Sequence, residues 1–334
     1  TPARALDRSS RPSSPVKRNA LFPFAMTARC HPLTALVLVA AFRGVSAAES
    51  ASTHPRIFQI ARPTADHSSL EVVEEGLRRL EAVSEPISIV AVVGGFHSGK
   101  SFLCNVLNRS PSGFELGPTH EATTMGLWLG ETAERSASDG SRVFLLDTEG
   151  FSAPGVAESY DAQVFAVAAL LSSHLVYNSV KLITAAEVEY LETLARRAKL
   201  WSLQPDFRGD ARSAFPPLTW VVEDFTAEMR FVTPTEWLLS LLGEGDAIEG
   251  GRVARRPLVD GNYTMTRLFE RVRAATLFLP ASTREDLARL HRVPFDRLDP
   301  DFLAQADALR TDLLTNTAPK RAEGMTGVGA SALT

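Results

Sequence analysis

The chain has 334 residues, 45% of them hydrophobic, and a formal net charge of −4. That is enough apolar material for one large domain with extensions, and the charge balance gives no basic footprint, so no nucleic-acid partner is expected. Two cysteines, Cys30 and Cys104, exclude a disulfide framework and a cysteine-built metal site.

The chain starts at Thr1 rather than a methionine, and residues 1–25 read as a mis-started or disordered extension, rich in Arg, Ser and Pro. Residues 26–48 combine Met26 and Arg29, an apolar run over residues 33–42, and the small residues Ser46, Ala47 and Ala48. That is the pattern of a secretory signal peptide if Met26 initiates; the alternative is a tail with an apolar patch. The run is too short to span a bilayer. Residues 49–65 read as a linker, residues 66–317 as one domain, and residues 318–334 as the start of a helical region that breaks off.

Within the domain, residues 71–83 read as a helix and residues 87–93 as a buried parallel strand, a short apolar run rich in β-branched residues. Next comes Gly94-Gly95-Phe96-His97-Ser98-Gly99-Lys100-Ser101, the Gly-x-x-x-x-Gly-Lys-Ser pattern of a phosphate-binding loop. Gly94 and Gly99 let successive amides turn inward around an anion, Lys100 brings a positive charge, and the Ser101 hydroxyl can ligate Mg²⁺. Residues 102–108 have helical spacing. Strand, glycine loop and helix stand in the required order.

Residues 113–121 read as a loop, and Thr124 leads into a second strand. Thr124 is either a ligand on a loop that closes over a metal and a terminal phosphate or an ordinary strand-edge threonine. Residues 141–146 form a third strand ending in Asp147-Thr148-Glu149-Gly150. There Asp147 can hold Mg²⁺ through water and Gly150 can offer its N–H to a γ-phosphate. Residues 160–171 and 185–200 read as helices. Residues 164–171 are apolar all round, but Ser172, Ser173, His174 and Asn178 interrupt the run, which favours a buried helix over a membrane span. Residues 218–222 form a strand ending at Glu223-Asp224. Asp224 can accept from the N1 and N2 donors of guanine, which adenine lacks, or serve as a helix cap or loop residue. Thr233 and Glu236 make a capping box with Pro234 in the first turn. Residues 276–279 read as a last strand. Alternating strands and helices predict an α/β fold, the three-layer fold of phosphate-loop nucleoside triphosphatases with a mostly parallel central sheet.

These blocks resemble the guanylate-binding protein and atlastin-type large GTPases of the dynamin superfamily, and look closest to their plant and algal members. The resemblance covers residues 87–281. It rests on the loop with Phe102, on Gly117-Pro118-Thr119 and Thr124-Met125-Gly126-Leu127-Trp128, and on Leu146 to Phe151. It continues through Tyr160-Asp161, Tyr177-Asn178, Phe215 to Leu218, Trp220 to Asp224 and Thr233 to Trp237. It implies a domain that binds GTP with Mg²⁺, hydrolyses it to GDP and phosphate, and forms a homodimer when loaded. Residues 94–102, Gly150 and Asp224 would bind the nucleotide. Ser101, Thr124 and Asp147 would hold the metal. Lys100, Thr124, Glu149 and His97 would serve catalysis, with Glu149 organising the attacking water. Residues 243–256 would carry the guanine-side dimer contact. Three positions depart from the family pattern: His97 replaces an arginine finger, Ala122 a polar residue that helps hold the water, and Glu223 the arginine of an Arg-Asp pair. The expectation is slow turnover that rises on dimerisation; the alternative is a GTP-gated dimerisation module with little hydrolysis. Membrane association would belong to the region beyond residue 317. The leader implies the secretory pathway or endoplasmic reticulum, with a plastid reached by two-part targeting, or the cytoplasm, as alternatives.

Overall fold

A computed structural model of the chain describes residues 57–110, 113–116, 124–202, 215–229, 233–242 and 265–319. The leader, Ala122, residues 117–119, residues 243–256 and the residues beyond 319, for which expectations are given above, fall outside that set.

Eight strands form one sheet in the order β2-β1-β4-β5-β3-β6-β7-β8. They are β1 (Ile57–Pro63), β2 (Leu70–Val72), β3 (Ile87–Gly94), β4 (Leu127–Arg135), β5 (Arg142–Thr148), β6 (His174–Val180), β7 (Leu218–Glu223) and β8 (Val272–Thr276). The run from β5 to β8 is parallel, and β4, β1 and β2 add on antiparallel. The helices are α1 (Glu74–Glu81), α2 (Lys100–Leu107), α3 (Glu158–Leu171), α4 (Ala185–Ser202), α5 (Pro234–Leu241), α6 (Met265–Leu268), α7 (Arg284–Leu287) and α8 (Pro300–Asn316).

Side-chain alternation along the central strands builds two cores. On β3, Ile89, Ala91 and Val93 face one core while Val90 and Val92 face the other. On β5, Phe144 and Leu146 part from Val143 and Leu145 in the same way. The first core is closed by α1, α3, α4 and α5, the second by α2 and α8. A strand buried on both faces is apolar nearly throughout, and its one polar side chain, Ser88, pairs with Ser141 Oγ at 2.7 Å, which is why β3 carries so plain a signal. The expected three-layer α/β fold is therefore present. No helix among the described residues is long and apolar enough to cross a membrane.

Several spans differ from expectation. Residues 57–63, read as linker, form β1, in which Ile60 and Ala61 are buried. The helix expected from residue 71 starts at Glu74, after the short strand β2. The last strand lies at Val272–Thr276, ahead of the expected 276–279. β6 and α8 add to the set. Helix α8 docks on α2: the rings of Phe102 and Phe302 stack with centroids 5.8 Å apart, Arg310 Nε donates to the Leu107 carbonyl at 2.9 Å, and Arg109 pairs with Asp307 at 2.8 Å.

The capping box on α5 is formed. Thr233 Oγ1 accepts from Glu236 N at 3.2 Å, and Glu236 Oε2 accepts from Thr233 N at 3.3 Å. Thr233→Ala is expected to cost about 1 kcal/mol, measurable as a shift in the urea midpoint with unchanged slope.

Candidate phosphate-binding site

The carboxyl ends of β3, β5 and β7 lie along one edge of the sheet, the edge where open α/β sheets bind ligands. The loop leaving β3 turns through Gly99, whose φ of +87° lies in the left-handed region that favours glycine. His97, exposed, takes φ +58° and sets its ring centroid 3.9 Å from that of Phe96. Lys100 follows as the first residue of α2. It is 7% exposed, and its Nζ donates to the Gly95 carbonyl at 2.9 Å, folding the side chain back over its own loop. Burial pulls its pKa down, and the Asp147 carboxylate opposes that shift.

Ser101, Thr124 and Asp147 converge from three segments. Ser101 Oγ donates to Asp147 Oδ2 at 2.6 Å and lies 3.0 Å from Thr124 Oγ1, which itself reaches Asp147 Oδ2 at 3.3 Å. Asp147 is 1% exposed, and its Oδ1 is buried with no hydrogen-bond partner among the described residues. Burial pushes its carboxyl up to about 6, with the Ser101 hydroxyl and Lys100 pulling the other way. One carboxylate with an orphaned oxygen and two hydroxyls is the hard-oxygen donor set that suits Mg²⁺ retaining part of its water shell. Among the described residues no cluster of three His, Cys, Asp or Glu side chains could hold a metal, so this mixed cradle is the candidate. A methyl on Gly150 would lie 2.6 Å from Phe96 Cα and 2.9 Å from Lys100 Nζ; only glycine lets the segment after β5 approach the loop this closely.

A cavity of about 230 Å³ opens over the loop, bordered by Phe96, His97, Gly99, Lys100, Ser101 and Phe102, by Thr124, Thr148 and Gly150, and by Leu287, Leu290 and His291 on the opposite wall. The wall from α7 and the turn after it carries no sequence signal, because its residues lie more than 180 positions from the loop.

Glu149 is not brought to the cavity. It is 2% exposed and faces the interior, where its Oε2 accepts from Gly126 N and Tyr160 Oη, both at 2.8 Å. His67 Nε2 lies 2.8 Å from its Oε1, an ion-pair distance whose angle falls short of a hydrogen bond. A buried carboxylate needs donors, and these interior groups claim it; the expected water-organising position is not the one it occupies here. Asp224 stands at the end of β7, half-buried, with φ +54°. Partial burial raises its carboxyl and nearby Lys181 lowers it. β6 separates β7 from β3, so Asp224 stands two strands across the sheet from the strand that leads into the phosphate loop. His174 is a core residue: its Nε2 lies 2.9 Å from Thr219 Oγ1, and burial lowers its pKa to about 4.

The family model described as Guanylate-binding protein, N-terminal domain, matches residues 67–322. The chain is 32% identical over 270 residues to guanylate-binding protein 4 of Homo sapiens, covering 75% of this chain and 40% of that one. It is 29% identical over 283 residues to human guanylate-binding protein 5 (80% and 47%) and 28% over 269 residues to guanylate-binding protein 1 of Mus musculus (77% and 45%). It thus spans less than half the length of these relatives. A solved structure of an SsGBP mutation variant aligns at 13% identity and a TM-score of 0.29, over 57% of this chain and 50% of that one, too low to carry an argument. With the family model matched across the whole phosphate-binding domain, the chain belongs to the guanylate-binding protein family.

Proposed function

We propose that this domain binds GTP with Mg²⁺ and hydrolyses it to GDP and phosphate. The observation that carries the reading is the convergence of Ser101, Thr124 and Asp147 within 3.3 Å beside the buried Lys100. Loop amides and the Lys100 ammonium bind the outer phosphates, and Ser101, Thr124 and Asp147 would hold the metal. Mg²⁺, when bound, neutralises charge on the β and γ oxygens. Phe96, His97, Leu287 and Leu290 line the cavity. In hydrolysis a water oxygen bonds to the γ-phosphorus, the bond to the β,γ-bridging oxygen breaks, and GDP leaves with that electron pair. Asp224 reads the guanine edge. Homodimerisation in the loaded state, membrane association through the region after residue 317, and delivery to the secretory pathway through residues 26–48 belong to the same proposal.

The base assignment has a direct test. Asp224→Asn is expected to weaken GTP binding roughly 10- to 100-fold, the loss of charged acceptor bonds to two donors, while ATP binding stays unchanged. Calorimetric titration of both nucleotides measures this; equal losses for GTP and ATP would remove Asp224 from base reading.

A second reading, a GTP-gated dimerisation module with little turnover, is favoured by the interior position of Glu149 and by His97 where the resemblance implies arginine. Single-turnover assays at low and high protein concentration separate the two. Phosphate release that rises with concentration supports the enzyme, and none at either concentration leaves the module.

A further inference from the structure

A carboxylate lies beneath the phosphate loop. Glu223, the last residue of β7, is 6% exposed. Its Oε1 accepts from Asn178 Nδ2 at 2.7 Å, and the same Nδ2 donates to the Ser98 carbonyl at 2.6 Å. Its Oε2 lies 2.7 Å from where a methyl on Gly99 would stand. Asn178 is fully buried, and its Oδ1 and the Ser98 Oγ are buried without a hydrogen-bond partner among the described residues. One Asn amide thus ties β6, the carboxyl of β7 and the Ser98-Gly99 limb of the loop into a unit. Asn178 in turn is fixed by the parallel ladder that pairs it with Gly94 and Val221.

That placement is electrostatically opposed to the site above it. A triphosphate carries several negative charges, and a second anion on the far side of one loop repels it through low-dielectric protein. Relief comes from the loop's cation or from a proton, and Lys100 is already shared with Asp147 and Glu149. We propose that Glu223 is a positioning residue of the phosphate loop whose carboxyl must be protonated for a triphosphate to be held tightly above it.

The surroundings agree. Among the described residues, Lys100 and Cys104 of α2, Asp224 after β7 with Lys181 beside it, and Asp147 on β5 beyond Lys100 are the titratable groups around Glu223. Of these, Asp224 favours the neutral carboxyl and Lys100 the charged one. Burial outweighs the Asn178 hydrogen bond and Lys100, which favour the charged form, and pushes Glu223 up to about 8, so the group changes charge just above neutral pH. An acid whose pKa is raised is neutral below that value. Bound phosphate raises it further, so below the free-state value binding needs no extra proton, and above it each binding event takes one from solvent.

The inference rests on the triphosphate reading of the cavity. The test is GTP–Mg²⁺ affinity from about pH 7 to about pH 9, for the wild-type chain and for Glu223→Gln, which keeps the acceptor for Asn178 and cannot ionise. The wild-type dissociation constant is expected to rise roughly tenfold per pH unit above the transition, and that of the variant to stay nearly flat. The nucleotide's own phosphate titration is common to both proteins and cancels in the comparison. Equal slopes, or a flat wild type, would overturn the proposal, as would a folded variant that no longer binds at neutral pH. If Glu223→Gln does not fold, calorimetry of the wild type in buffers of different ionisation enthalpy decides. Uptake of about one proton per GTP near pH 8.5 supports the proposal, and none overturns it. Wild type that binds no GTP even at neutral pH would instead overturn the triphosphate reading itself.

Discussion

Lys100→Ala is expected to raise the dissociation constant for GTP by roughly a hundred- to a thousandfold. The ammonium is buried and lies against the loop that would cradle the phosphates. A charge pair at about 4 Å in a partly screened protein site is worth about 4 kcal/mol, and every 1.4 kcal/mol is tenfold in affinity. The substitution should not weaken the fold. Burial disfavours the charged form of this lysine, so removing it relieves a desolvation cost, and the melting temperature without nucleotide is expected to hold or rise. Fluorescent-nucleotide titration together with a thermal melt reads both numbers. Affinity equal to wild type would show that the loop does not grip phosphate.

Trp220→Ala is expected to be the most damaging single change to stability, costing about 3–5 kcal/mol. The indole is fully buried in β7, its centroid 4.6 Å from that of Tyr177, and its Nε1 donates to Ser179 Oγ at 2.8 Å. Truncation leaves a cavity and removes the donor to the Ser179 hydroxyl, which keeps only its long contact to the Val221 carbonyl at 3.4 Å. For a domain of this size the loss corresponds to a fall of roughly 10 °C in Tm. Because β7 also carries Glu223 and Asp224, nucleotide selectivity should slacken in the same variant. A urea denaturation giving a loss under about 1 kcal/mol would contradict the packing described for this strand.

The sequence made the centre of the sheet plain and its margins obscure, for physical reasons. β3 and β7 are buried on both faces, and a strand with no solvent side is mostly apolar, Ser88, Thr219 and Glu223 being the exceptions. β1 has one buried stretch among half-buried positions and contains Arg62 and Pro63, so it reads as connecting chain. β6 holds His174, Asn178 and Ser179, polar residues that would be forbidden in a core strand without partners. Thr219, Ser98, Glu223 and Trp220 supply those partners, and all lie at least 40 positions away. The phosphate loop was legible because its chemistry is local: eight consecutive residues contain the turn, the cation and the hydroxyl. The position of Glu149 was not, since His67, Gly126 and Tyr160 meet only in the folded chain. Asp147 lies between the two cases, its type and spacing visible but its orphaned oxygen apparent only once Ser101 and Thr124 are seen on the other one.

Helix α2 spans about 12 Å along its axis. Its first two residues line the cavity, and its last turn is clasped by α8 through Phe302, Arg310 and Asp307. A rod gripped at both ends cannot tilt at one without swinging the other. With a triphosphate held as proposed, filling or emptying that end would work like a crank on α8, and a small tilt would grow with distance along whatever chain follows Asn316.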